Sequence, residues 1–200
     1  MAFSSSAPAT LDRRAWGALL VLCGALFLDG LDISMVGVAL PSIEGDLHLS
    51  TSTLQWIVSG YVLGYGGLLL LGGRAADLLG RRRVFIAALA VFAVASLLGA
   101  LTSDGTLLIA TRFLKGLSAA FTAPASLSII TTTFPEGPAR NKALAVWTAT
   151  GASGFSSGLI LGGLLTELGW RWTFLLPVPV AAGILFFVPR LIRADRSPAA

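Results

Sequence analysis

The stretch FLDGLDISMVGVALP, residues 27–41, is apolar enough to lie in lipid, yet it carries Asp29 and Asp32. It sits in a run from Ala15 to Leu40 that holds no other charge. A hydrocarbon core about 30 Å thick takes roughly 20 helical residues to cross. Runs of that kind, bounded by charged or turn residues, recur at Thr53–Gly72, Val84–Leu101, Thr106–Ile129, Ala143–Leu165 and Trp172–Val188. Composition agrees: 55% of the 200 residues are hydrophobic and 12% are charged, more apolar surface than a soluble domain of this size needs. Backbone polar groups cannot stay unpaired in lipid, and these runs are too long and too weakly alternating for barrel strands. An all-α membrane protein with six transmembrane helices is the expectation.

The basic residues set an orientation. With the N-terminus inside, every Lys and Arg except Arg112, Lys115 and Arg171 falls on the cytoplasmic side, and the outer loops hold Glu44, Asp46, Asp104 and Glu167. That asymmetry predicts both termini in the cytoplasm. The net charge of +4 is then a topology signal, and no basic face with interleaved aromatics points to nucleic acid. Residues 1–14 read as a disordered tail, 15–189 as the transmembrane domain, and 190–200 as the start of a cytoplasmic linker. The first span lacks a small-residue cleavage site and reads as a retained helix. Trp16, Trp56, Trp147, Trp170 and Trp172 fall near span ends and read as interfacial anchors. The single Cys23 rules out an internal disulfide.

Four ionisable side chains lie well inside spans: Asp29 and Asp32 in the first, Arg112 and Lys115 in the fourth. Each costs about 2.5–3.5 kcal/mol at the bilayer centre, so each requires a partner or a wet cavity. Both pairs are spaced i, i+3, on one face of their helix. Counted from outer ends near Leu40 and Thr106 at about 1.5 Å per residue, Asp32 and Arg112 lie roughly 12 and 9 Å deep, Asp29 and Lys115 roughly 16 and 14 Å. The expected pairing is Asp32 with Arg112 and Asp29 with Lys115, across a cavity between the two spans. Two readings stand: a proton-sensitive switch, because a neighbouring cation lowers a carboxylate's proton affinity, or static salt bridges between helices. In the second span, Tyr61 and Tyr65 are four apart, which suits either ordinary packing or an aromatic wall for an organic cation.

Within LDISMVGVALPSI, Asp32, Ala39, Leu40 and Pro41 resemble the first-helix signature of drug:proton antiporters of the QacA/EmrB type, in the major facilitator superfamily. Ser34 and Gly37 replace that pattern's Thr and Asn. GGRAADLLGRRRVF resembles the superfamily's loop motif after the second helix through Gly73, Asp77, Gly80, Arg81 and Arg82, which the resemblance makes a conformational latch. LIATRFLKGLSAA resembles the fourth-helix motif through Arg112 and Gly116, with Lys115 in place of the usual Gln. GASGFSSGLILGG resembles the fifth-helix antiporter motif through Gly154, Gly158, Gly162 and Gly163, with Leu159 replacing its Pro; small residues at such spacing also serve plain helix packing.

GFSSG formally matches a nucleophile elbow, but Ser156 is mid-helix and the only histidine, His48, falls in an outer loop. No enzyme, metal site or cofactor is expected. The resemblance implies the N-terminal six-helix half of a proton-coupled exporter, with a proton gradient as energy source. Its implied partners are a small organic substrate, with lipophilic cations as one class, protons, the bilayer, and a second six-helix half in cis or in trans. A non-transporting truncated fragment and a metabolite uptake porter are the alternatives.

Overall fold

The computed structural model describes residues 13–192, which form helices joined by short turns. Helix α1, Arg13–Leu47, outruns its expected end near Leu40 by about two turns. Pro41 does not stop it, and His48, with φ +51°, does. Helix α2, Thr51–Leu79, begins at Ser50, whose Oγ accepts from the Thr53 amide at 3.2 Å. Such a cap satisfies one amide that the first turn leaves without a helical partner. Gly80, with φ +94°, turns the chain into α3, Arg81–Leu101. Helix α4, Gly105–Thr133, is capped by Asp104, which accepts from the Leu107 amide at 2.7 Å.

Helix α5, Pro138–Leu168, starts with Pro at a position where the missing N–H costs nothing. The sixth span is two helices, α6 Arg171–Leu175 and α7 Pro177–Leu191. Pro177 cannot donate back to the preceding turn, so the hydrogen-bond ladder breaks at Leu176 while the backbone keeps its helical angles. Among the described residues, six spans are long and apolar enough to cross a membrane: α1, α2, α3, α4, α5, and α6 with α7.

Residues 1–12 and 193–200 of the expected tails lie outside the described residues. Arg13 and Arg14 already belong to α1, and Arg190 and Leu191 still belong to α7. Alternating helix directions collect Arg13, Arg14, Arg74, Arg81, Arg82, Arg83, Arg140, Lys142 and Arg190 at one end of the bundle. Glu44, Asp46, Asp104, Glu167 and Arg171 collect at the other.

Two seams of backbone contact hold the bundle together. Along α1 and α5, a Cβ on Gly154 would strike Phe27, one on Gly158 would strike Leu31 and Ser34, and one on Gly162 would meet Met35 and Val38. Along α2 and α4, Gly64 faces the Phe113 carbonyl, Gly116 the Tyr61 backbone, and Gly72 the Ala120 carbonyl. Without a hydrophobic driving force in lipid, close approach through small residues is what lets helices associate. A Cβ on Gly163, which enters through the motif resemblance, would meet nothing within 4 Å among the described residues.

Side chains fill the rest in two apolar clusters. One, at the basic end, runs from Leu19 and Leu22 through Phe85, Phe92 and Ile130 to Phe134. The other joins Val36, Ile43, Ile57, Leu108, Trp170 and Phe174. Along α1 the first cluster reaches Leu28 and the second starts at Val36. Asp29 and Asp32 fall in the interval between them.

Candidate functional site

The interval holds a buried ionic centre. Asp32, fully buried, takes both cations of α4: Arg112 Nη1 bonds to its Oδ2 and Lys115 Nζ to its Oδ1. The i, i+3 spacing of Arg112 and Lys115 delivers both heads to one carboxylate from a single helix face. Arg112 Nε also donates to the Ile57 carbonyl at 3.4 Å, and its guanidinium lies 4.7 Å from the centre of the Tyr61 ring. Lys115 Nζ lies 4.7 Å from the Phe92 ring and 5.0 Å from the Phe174 ring. Aromatic faces carry negative quadrupole density and help hold cations that have lost their water.

Asp29 does not pair with Lys115, contrary to the expectation from depth. Its Oδ2 instead accepts from Thr122 Oγ1 at 3.2 Å. A depth count from Leu40 starts at the wrong place, because α1 runs on to Leu47. The longer helix moves Asp29 about two turns relative to α4, and Thr122 lies two turns beyond Lys115. Threonine is short and marks the true level; Arg112 and Lys115 reach Asp32 through long stems. Asp29 is nine-tenths buried and, among the described residues, makes no ion pair.

Tyr61 is buried beside this centre, and Tyr65 stacks on it with ring centroids 6.4 Å apart and an interplanar angle of 18°. A polar strip continues along α4: Ser118 Oγ donates to the Ala88 carbonyl of α3 at 2.6 Å. Ser34, the residue in place of the family's Thr, spends its hydroxyl on the Gly30 and Leu31 carbonyls of its own helix. Gly37 has open space where a Cβ would be.

The loop motif sits around the Gly80 turn. Asp77 and Arg81 approach to 3.9 Å across it, both partly exposed, and Arg82 follows in the first turn of α3. Gly73 meets only the Pro124 side chain at 3.9 Å; its neighbour Gly72 is the one in close contact. At the opposite end, Trp170 Nε1 and Arg171 Nη1 both donate to Asp46 Oδ2, at 2.9 and 2.8 Å, and Arg171 Nη2 donates to Ser103 at 3.1 Å. Trp170 is therefore buried under a polar clasp and is no lipid-facing anchor, unlike the half-exposed Trp56 and Trp172.

Sequence reasoning missed Thr122, Phe92, Phe174 and the glycines of α2. Only the last had a signal, the spacing of Gly60, Gly64 and Gly72 in SGYVLGYGGLLLLGG.

Six apolar spans enclosing an ionic centre, with backbone seams set by glycine, define a polytopic helical protein of the cell membrane. The chain belongs to the Major Facilitator Superfamily, whose profile matches residues 22–200, a family of transporters rather than enzymes. It is 45% identical over 180 residues to the cephamycin export protein CmcT of Amycolatopsis lactamdurans, covering 90% of this chain and 37% of that protein. It is 46% identical to the puromycin resistance protein pur8 of Streptomyces alboniger, covering 92% of this chain and 37% of that one. To the multidrug efflux pump LfrA of Mycolicibacterium smegmatis the identity is 38%, with the same two shares. The chain thus spans well under half the length of these relatives.

Proposed function

We propose that this chain is the N-terminal half of a proton-coupled exporter of small organic molecules, lipophilic cations among them, working with a second six-helix half in cis or in trans. The observation that carries the reading is the fully buried Asp32 shared by Arg112 and Lys115. A carboxylate so placed changes its proton affinity when either cation moves, which is what coupling to a proton gradient requires. The names of the relatives, an export protein, a resistance protein and an efflux pump, support the direction.

In this reading Asp32 carries the proton, while Asp29, Tyr61 and Tyr65 border the substrate cavity. Gly73, Asp77, Gly80, Arg81 and Arg82 form the latch against the second half. The basic end of the bundle faces the cytoplasm, with both termini. No cofactor is needed beyond the proton gradient.

The test is transport in inside-out vesicles containing the chain and its second half. An imposed pH gradient drives ethidium accumulation with wild-type protein and not with Asp32→Asn. Equal accumulation in the mutant removes Asp32 from the mechanism. A wild-type protein inert to the gradient would instead suit a non-transporting fragment.

A further inference from the structure

Arg112 and Lys115 share one carboxylate but are held differently. Arg112 is fixed on three sides, by Asp32, the Ile57 carbonyl and the Tyr61 ring. Among the described residues, Lys115 has one hydrogen-bond acceptor, Asp32, and otherwise rests against the rings of Phe92 and Phe174. A guanidinium is a planar fork; an ammonium is a compact charge on a flexible stem with three rotatable donors. Of the two cations, lysine is the one built to move.

A second acceptor waits on the same face of α1. Asp29 lies three residues from Asp32, nine-tenths buried, with a hydroxyl partner and no ion pair among the described residues.

We propose that Lys115 is a mobile counter-ion that passes between Asp32 and Asp29, making a proton on Asp32 and an organic cation on Asp29 mutually exclusive. The inference rests on the function proposed above and supplies its coupling step. A proton on Asp32 cancels its hold on Lys115, and the adjacent Arg112 then repels the ammonium. The anion three residues away on α1, with no ion pair among the described residues, is Asp29. An organic cation held there by the carboxylate and the Tyr61–Tyr65 rings is displaced. In reverse, a cation arriving at Asp29 returns Lys115 to Asp32 and the proton leaves to water. With either a proton or a monovalent cation bound, the cluster of two acids and two bases carries the same net charge, so one exchanges for the other without a charge being stranded in lipid.

The groups that face this cluster are few. Helix α1 brings Asp29 and Asp32, α2 brings Tyr61 and Tyr65, and α4 brings Arg112, Lys115 and Thr122. From α3 and α6 come Phe92 and Phe174, and α5 has no ionisable side chain between Lys142 and Glu167.

The experiment is equilibrium binding of tetraphenylphosphonium to the purified 200-residue chain at one fixed alkaline pH, so that titration of Asp29 itself does not enter. Asp32→Asn imitates the protonated state and is expected to weaken binding at least roughly tenfold, within the usual range of coupling between sites. Asp32→Asn with Lys115→Gln is expected to recover wild-type affinity to within about threefold, the residual scale of near-additive sites. Asp29→Asn lowers affinity for tetraphenylphosphonium and leaves that for neutral triphenylphosphine oxide unchanged. A crystal structure of the Asp32→Asn chain then shows Lys115 Nζ within about 3 Å of Asp29, hydrogen-bond distance for a charged pair. Lys115 remaining beside position 32, or no recovery in the double mutant, overturns the inference. These are equilibrium readouts, so they fail or hold independently of the vesicle transport that tests the function.

Discussion

Gly72 of α2 lies against the backbone carbonyl of Ala120 in α4, with no room for a Cβ between them. The contact has a cause four residues away. Pro124 lacks the N–H that would bond the Ala120 carbonyl within the helix. That carbonyl is left to the neighbouring helix, and only glycine admits it.

Gly72→Leu is therefore expected to destabilise the protein by about 1–3 kcal/mol or more, the cost of overpacking a close contact. Gly73→Ala, next in sequence but with only Pro124 at 3.9 Å, is expected to stay within about 0.5 kcal/mol of wild type. Thermal unfolding in detergent compares the two; equal losses would mean that α2 and α4 do not cross at Gly72.

A similar contrast holds on α5. Gly158→Val drives methyl groups into Leu31 and Ser34 and is expected to lose folded protein, whereas Gly163→Ala meets open space and is expected to be neutral within about 0.5 kcal/mol. The measurement is the yield of monodisperse protein together with its melting temperature.

Asp32→Asn takes away the buried carboxylate that Arg112 and Lys115 share. Breaking a buried pair in this way costs about 3–5 kcal/mol, so the mutant is expected to melt earlier even where it inserts normally. Adding Lys115→Gln removes one of the two cations crowded together there, and part of the loss should return. A double-mutant cycle on the melting data reads the coupling, and strict additivity would show that Lys115 and Asp32 do not interact.

The clasp at the other end is a smaller term. Trp170→Phe keeps the buried ring but drops the hydrogen bond to Asp46, and a lower melting temperature is expected. Arg171→Ala removes a partly exposed, solvent-screened ion pair and is expected to cost less, by an amount that shrinks as salt is added. A larger loss for Arg171→Ala than for Trp170→Phe would invert this ranking.

How much of this could be read without coordinates depends on the kind of signal. The spans were legible because 20-odd apolar residues in a row have one physical solution in lipid. Glycines at 154, 158 and 162 were legible because their spacing alone puts them on one stripe. The partner of Asp29 was not, since a depth count inherits any error in the helix end, and apolar residues around Pro41 gave no hint that α1 continues to Leu47. Phe174 over Lys115 was out of reach for another reason: it depends on how α6 folds back over α3 and α4. Trp170 misled because tryptophan near a span end suits lipid and a buried clasp equally well.

The two glycine seams have a mechanical consequence. Backbone touching backbone makes α1 with α5, and α2 with α4, into stiff pairs that leave no slack for side chains to absorb. Between α1 and α4, by contrast, the polar ties are side chains: Arg112 and Lys115 on Asp32, and Thr122 on Asp29. Whatever alters charge at the Asp32 carboxyl therefore acts where the two pairs meet, and not inside either one.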